Sequence, residues 1–369
     1  MKIVRIDVFD HLLTYAHGSY AMSGGREASE QRSTLVRIGT DAGIDGWGET
    51  CALGATYLPS FSAGGVRAAL ADLAPALLGL DPTNLGAVHA RMSAVLSGFN
   101  GARSAIDVAC WDVTGKALGV PVSALLGGVL QEDFPLYEAV PLGSPESMAD
   151  FVVARREAGI ACFQVKVGNR PADDVARVRA TVAVGGESRM ICDANGGWRL
   201  QDAVLAVRAL ADLSVYIEQP CQTMEDIGRL RAVTTLPLVA DETVVDIPTL
   251  VAAKEVALAG SVNLKIGRLG GLSAARRVRD AAVGLGMTVT IEDTWGGDVA
   301  TAAVAHLAAT TAADDLLSAS FFNDWTVEHV APAVRPASVR GRGSAPRVPG
   351  LGVEVDASLL GTPLLSARP

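Results

Sequence analysis

At 369 residues the chain has room for one barrel-sized domain and an accessory domain, and for a large buried core. Hydrophobic residues make up 49% and charged residues 19%, which excludes a disordered chain and fits an ordinary globular protein. A formal net charge of -9 without any Lys/Arg cluster argues against nucleic acid or an anionic membrane as partner.

The first residues, MKIVRIDVFD, alternate apolar and polar side chains as a strand over 2–10 and carry no apolar signal core behind a charged head. No apolar run reaches membrane-span length. The five cysteines, Cys51, Cys110, Cys162, Cys192 and Cys221, are odd in number and have neither CxxC spacing nor companion histidines. They read as reduced, mostly buried thiols of a cytoplasmic protein.

After the first strand comes a flexible stretch over 15–29, a strand at 33–39, and a turn at Asp41-Ala42-Gly43 that leads into Gly46-Trp47-Gly48-Glu49. Residues 64–120 read as helices. The clearest covers 103–118, apolar at helical spacing through Ala105, Ile106, Ala109, Trp111, Val113 and Leu118, with Gly119 and Pro121 as its stop. Together residues 1–127 form an α+β capping domain.

From about 130 the pattern changes to short apolar strands alternating with helices. The strands fall at 135–142, 162–168, 189–196, 215–220, 236–242, 261–267, 287–293 and 316–322. Six of them end in a charged residue: Lys166, Asp193, Glu218, Asp241, Lys265 and Glu292, at steps of 27, 25, 23, 24 and 27 residues. Each step is one βα unit. Strands that are apolar except at the carboxyl end, each followed by a helix, predict an α/β protein built on a (β/α)7β TIM-like barrel over 128–325. Their polar ends then converge on the rim where barrel active sites lie. Residues 326–369, rich in Pro, Gly and Arg, are expected to return to the capping domain.

Asp193, Glu218 and Asp241 are three carboxylates on consecutive strand ends. A single one is equally well read as a helix cap or an arginine partner; three in register, without His or Cys, suit a hard cation, and Mg²⁺ better than Ca²⁺ or Zn²⁺. Only five of the 31 basic residues are lysines, and two of these, Lys166 and Lys265, end the second and sixth strands on either side of the carboxylates. A desolvated amine beside a cation is expected to have a depressed pKa and to act as a base, with its protonated partner as acid. The competing reading of each lysine is a structural ion pair.

The strings DAN at 193–195, EQP at 218–220, DE at 241–242 and LKIGRLGG at 264–271 resemble the enolase superfamily, in the branch related to muconate lactonizing enzyme. The likeness covers nearly the whole chain, capping domain included. It implies that Asp193, Glu218 and Asp241 bind Mg²⁺ and that Lys166 and Lys265 are the acid/base pair, a lysine and metal pairing characteristic of that superfamily. One departure is Gln164, which stands where the second-strand motif often has another lysine. The Gln-x-Lys variant, with GATYLPS (54–60), YIEQPC (216–221) and IEDTWGGD (291–298), resembles the branch acting on proline derivatives: cis-3-hydroxy-L-proline dehydratases and hydroxyproline-betaine epimerases.

The resemblance implies a lyase that removes the α-proton of a carboxylate substrate. A β-hydroxyl then leaves as water; without one, reprotonation from the other face gives epimerisation. Tyr20 and Tyr57 are expected as lid walls, with Gln164, Asn195 and Phe321 near the substrate. Glu292, Asp293, Thr294 and Trp295 end the seventh strand, where a carboxylate suits a substrate ammonium; for Asp293 a helix cap and for Trp295 core packing are equally good readings. A betaine would need an aromatic cage, which Tyr57 with Phe321, Phe322 or Trp325 can supply. A catalytically silent ligand-binding barrel is the reading from another class. The expected partners are a small amino-acid or betaine substrate and further copies of the chain in a homo-oligomer.

Overall fold

In the computed structural model, which describes residues 1–53 and 62–369, the chain begins with β1 (Ile3–Thr14), β2 (Glu30–Thr40) and β3 (Asp45–Cys51). They pair antiparallel in that order, with Val8 opposite Val36 and Val36 opposite Gly48. One face of this sheet packs on α1 (Ala63–Leu77), α2 (Leu85–Val95) and α3 (Asn100–Leu118), burying Ile6, Val36, Ile38, Leu70 and Ile106 among others. Gly48 lets β3 lie directly on α3, because a Cβ there would stand 1.9 Å from the Ala105 carbonyl oxygen. Helix α3 ends where the sequence stops it, at Gly119 with φ 71°.

The stretch 15–29 departs from a flexible loop. Tyr15, Tyr20, Met22 and Ser23 are buried, and Tyr20–Ala21 pairs with Glu27–Ala28 in a two-residue ladder. Its aromatic side chains have somewhere dry to go, which the local sequence does not reveal.

Eight parallel strands follow: β4 (Glu138–Val140), β5 (Cys162–Lys166), β6 (Arg189–Asp193), β7 (Val215–Glu218), β8 (Leu238–Ala240), β9 (Ser261–Lys265), β10 (Thr288–Glu292) and β11 (Leu316–Ala319). Each pairs with the next. A parallel bridge between Leu136 and Ala319, with the Tyr137 amide donating to the Ala319 carbonyl at 2.9 Å, brings the two edges together and closes the barrel. Helices α4 (Pro145–Glu157), α5 (Pro171–Gly185), α6 (Leu200–Ala209), α7 (Met224–Arg229), α8 (Ile247–Glu255), α9 (Leu272–Gly284) and α10 (Asp298–Ala309) follow the first seven strands. Several start on a local cap: Ser144 accepts from the Ser147 amide, Thr223 from Asp226, and Asp246 from Thr249. The strands are buried over nearly their whole length because helices cover the outside and side chains fill the inside.

Near the end of the chain, Arg342–Gly343 pairs with Phe134–Pro135, and β12 (Leu365–Ala367) adds an outer strand to β1, with Ala367 opposite Ile6. All five cysteines are buried and unbridged. Among the described residues, no helix is long and apolar enough to cross a membrane.

Candidate active site

The carboxylates come first. Asp193 and Glu218 sit opposite each other as the last residues of β6 and β7, and Asp241 directly follows β8; all three are buried. The turns behind them are tight: Asn195 and Gln219 have left-handed backbones, φ 46° and 35°. Asn195 donates its amide and side-chain nitrogen to Asp193, at 2.8 and 2.9 Å, and Gln219 accepts from the Asp241 amide at 2.8 Å. Asn195 thus braces its own strand end, and Gln219 ties the end of β7 to that of β8.

Glu218 is held by neutral amides, Gln164 Nε2 at 3.0 and 3.1 Å and Asn263 Nδ2 at 2.6 Å. Burial, then the negative charges of Asp193 and Asp241, raise its pKa well above the carboxylate range. Asp241 goes the other way: burial pushes it up, but Lys265 and Arg268 outweigh that and hold it low. Among the described residues no three acidic, histidine or cysteine side chains converge in this conformation as a ready metal cage. The outer two carboxylates are turned onto cations instead.

Lys166, at the end of β5, pairs with Asp193 and lies 5.8 Å from the centre of the Tyr20 ring. Lys265, at the end of β9, pairs with Asp241 and stands 3.0 Å from Glu292 Oε1. The sequence led us to expect depressed lysine pKa values. That expectation is for an amine beside a bound cation; among the protein groups, burial lowers the Lys166 pKa while Asp193, Tyr20 and Glu218 together raise it above the ordinary lysine value.

Both lysines line one cavity, together with Tyr20, Gln164, Glu292, Thr294 and Trp295 from the sequence reading. Phe322, one of the aromatic-cage candidates, is also a wall, and three further walls were not anticipated: Met22, Leu53 and Tyr137. Tyr137 donates its hydroxyl to Glu292 Oε2. Burial, followed by the adjacent Asp293, raises Glu292 well above the carboxylate range. The period-two alternation of PLYEAVPL puts Tyr137 on the inner face with Ala139, a signal that was available in the sequence.

Three expected contacts lie elsewhere. Asp293 turns away from the cavity and accepts the Gly267 and Thr294 amides at 3.0 and 2.7 Å, so the capping reading describes it; burial pushes its pKa up to about 7. Phe321 packs edge-on against Phe134, ring centres 5.9 Å apart, in the core beside the barrel. A 3-10 turn at Phe322–Trp325 breaks the strand period, so Phe322 faces the cavity in its place. Asn195 does not line the cavity and instead bridges Asp193 and Glu242, the latter at 2.9 Å. Tyr57 lies outside the described residues. Trp295 is both wall and core: it stacks on Phe322 at 5.3 Å and meets Tyr15, Tyr20 and Trp325 edge-on.

Comparison with known families completes this picture. Residues 15–127 match the mandelate racemase / muconate lactonizing enzyme N-terminal domain, and residues 147–359 match the enolase C-terminal domain-like family. The chain belongs to the enolase superfamily. Within it, the chain is 42% identical over 365 residues to cis-3-hydroxy-L-proline dehydratase of Roseibium aggregatum, covering 99% of both sequences. It is 30% identical to an N-succinyl-L-Arg/Lys racemase of Bacillus cereus over 84% of each. A crystal structure of a mandelate racemase/muconate lactonizing enzyme relative from Roseovarius nubinhibens, complexed with magnesium, superposes with a TM-score of 0.94 at 35% identity, covering 99% of this chain and all of that one. As an enolase-superfamily barrel, the chain carries its strand-end lysines and carboxylates on the rim that such barrels use for catalysis.

Proposed function

We propose that this chain is a Mg²⁺-dependent hydro-lyase that converts cis-3-hydroxy-L-proline to Δ1-pyrroline-2-carboxylate. The observation that carries the reading is one cavity lined by both Lys166 and Lys265, with three buried carboxylates at the ends of the strands between theirs. The full-length likeness to a dehydratase of this substrate supports the choice within the superfamily.

The donor set fits a hard divalent ion. Asp193, Glu218 and Asp241 offer oxygen only; burial first and then their mutual repulsion raise Glu218, and such an ion would relieve that repulsion. When bound, Mg²⁺ would neutralise the substrate carboxylate and the charge that builds on it as the α-proton leaves. Every other task falls to the chain. Lys166 removes the α-proton, while Lys265 on the other side donates a proton to the 3-hydroxyl. The C–O bond breaks, water departs, and the resulting enamine tautomerises to the cyclic imine. In cis-3-hydroxy-L-proline the hydroxyl and the α-hydrogen lie on opposite ring faces, which suits two opposed lysines. Glu292 and Tyr137 are placed to receive the ring ammonium, and the aromatic wall excludes water.

Epimerisation of a proline betaine uses the same lysines, but its aromatic cage is less well served: Phe321 faces elsewhere, and Trp295, Phe322 and Trp325 are engaged with one another. The test is purified protein with Mg²⁺ on cis-3-hydroxy-L-proline and proline betaine side by side. Dehydration of the first should dominate; turnover of the betaine alone would replace this reading with the epimerase.

A further inference from the structure

Helix α10 begins without a cap of its own. Its N-cap residue is Gly297, no side chain from the IEDTWGGD segment accepts its first amides, and the helix is buried throughout. Uncapped amides in a dry interior are costly, so a partner must come from elsewhere. It comes from the capping domain. Glu49, on β3 and 1% exposed, accepts from the Gly297 amide at 2.8 Å through Oε1, and from Val299 and Ala300 at 3.2 and 3.0 Å through Oε2. Ser33 on β2 donates to Oε1 at 2.6 Å and fixes the carboxylate's orientation. A negative charge at this helix end is also favoured by the helix dipole.

The anchor behind Glu49 is stiff. Gly48 presses β3 onto α3, and alternation along the strand sends Glu49 to the opposite face, toward the barrel. Directly upstream of α10 lie Glu292, Thr294 and Trp295, the part of the cavity wall assigned above to the substrate ring. Lys166 and the three carboxylates stand on other strands, while Lys265 on the neighbouring β9 meets this segment through Glu292.

We infer that Glu49 is a positioning residue: a carboxylate of the capping domain that caps a barrel helix and thereby sets the strand-seven loop against the substrate. This rests on the reaction proposed above. It separates two jobs within one site, because loss of Glu49 loosens substrate placement while leaving the metal carboxylates and Lys166 intact.

The experiment uses Glu49→Gln, which keeps one acceptor oxygen, and Glu49→Ala, which keeps none, with Ser33→Ala as a mild variant that only frees the carboxylate. KM for cis-3-hydroxy-L-proline should rise on the order of tenfold in Glu49→Gln and further in Glu49→Ala, with a small rise of the same sign in Ser33→Ala. The Mg²⁺ concentration giving half-maximal activity should not move. Amide hydrogen exchange over 293–303 should accelerate in the same order while exchange in β5 to β9 stays as in the wild type. If the Glu49 variants fail to fold, the Ser33→Ala shift in KM and exchange decides. A lowered unfolding midpoint with KM unchanged would overturn the inference, leaving Glu49 a structural cap alone, as would unchanged exchange over 293–303. Wild-type protein inactive on the substrate would sink the proposed reaction instead, and the exchange pattern would still judge the cap.

Discussion

His306 gives the fold a specific sensitivity to acid. It is fully buried on α10, its Nδ1 accepts from the Ser123 amide at 3.1 Å, and its Nε2 donates to the Leu351 carbonyl at 3.1 Å. One ring therefore joins the last residues of the capping domain, the barrel and the C-terminal stretch. Because an amide already points at Nδ1, only the neutral ring fits; a second proton would oppose the Ser123 N–H. Burial pushes the pKa down to about 4, against a slight opposing pull from Leu351. With the folded value below the unfolded one, near 6.5, this contribution is complete above about pH 6.5 and disappears as pH falls toward 4. The difference of roughly 2.5 units corresponds to about 3 kcal/mol, with about 2 kcal/mol gone by pH 5. That is a large share of a typical folding free energy. In His306→Gln, the side chain can accept from Ser123 and donate to Leu351 without titrating. Urea unfolding at steps from pH 7.5 to 4.5 should therefore show a steeper loss in the wild type than in the variant. Parallel pH profiles would refute the reasoning.

Asp193→Asn, Glu218→Gln and Asp241→Asn should each abolish turnover in a folded protein, and excess chelator should do the same to the wild type; full activity in any of these conditions would remove the metal from the account. Phe321→Ala should cost about 3–5 kcal/mol of stability with KM unchanged, as for a large buried ring in a core. Phe322→Ala should raise KM by about tenfold through the loss of a cavity wall and its stack on Trp295. A KM effect in Phe321→Ala but not in Phe322→Ala would reverse which ring faces the substrate.

The barrel was legible because its strands announce themselves twice: each is apolar throughout, and six end in a charged residue one βα unit after the last. That rhythm located Lys166, Asp193, Glu218, Asp241, Lys265 and Glu292 before any coordinates. What local pattern could not supply was contact across the chain. Glu49 reads as the polar end of a cap strand, and its three amide partners lie about 250 residues away. Phe321 and Phe322 are neighbours with equal apolar character; only the 3-10 turn decides which faces inward. Asp293 beside Glu292 looked like a second ligand group, yet the backbone amides of Gly267 and Thr294 claim it. Burial alone lowers an amine's pKa, and sequence does not show that Asp193 sits close enough to Lys166 to reverse the sign.

The central claim is that Lys166 and Lys265 attack the substrate from opposite sides and divide the labour of base and acid. Deuterium incorporation at the α-carbon of cis-3-hydroxy-L-proline in D₂O, measured in Lys166→Ala and Lys265→Ala, tests it most directly. Lys265→Ala should still exchange the α-hydrogen while failing to release water, and Lys166→Ala should lose both exchange and elimination. Exchange surviving only in Lys166→Ala would reverse the roles, and exchange undiminished in both variants would contradict the claim.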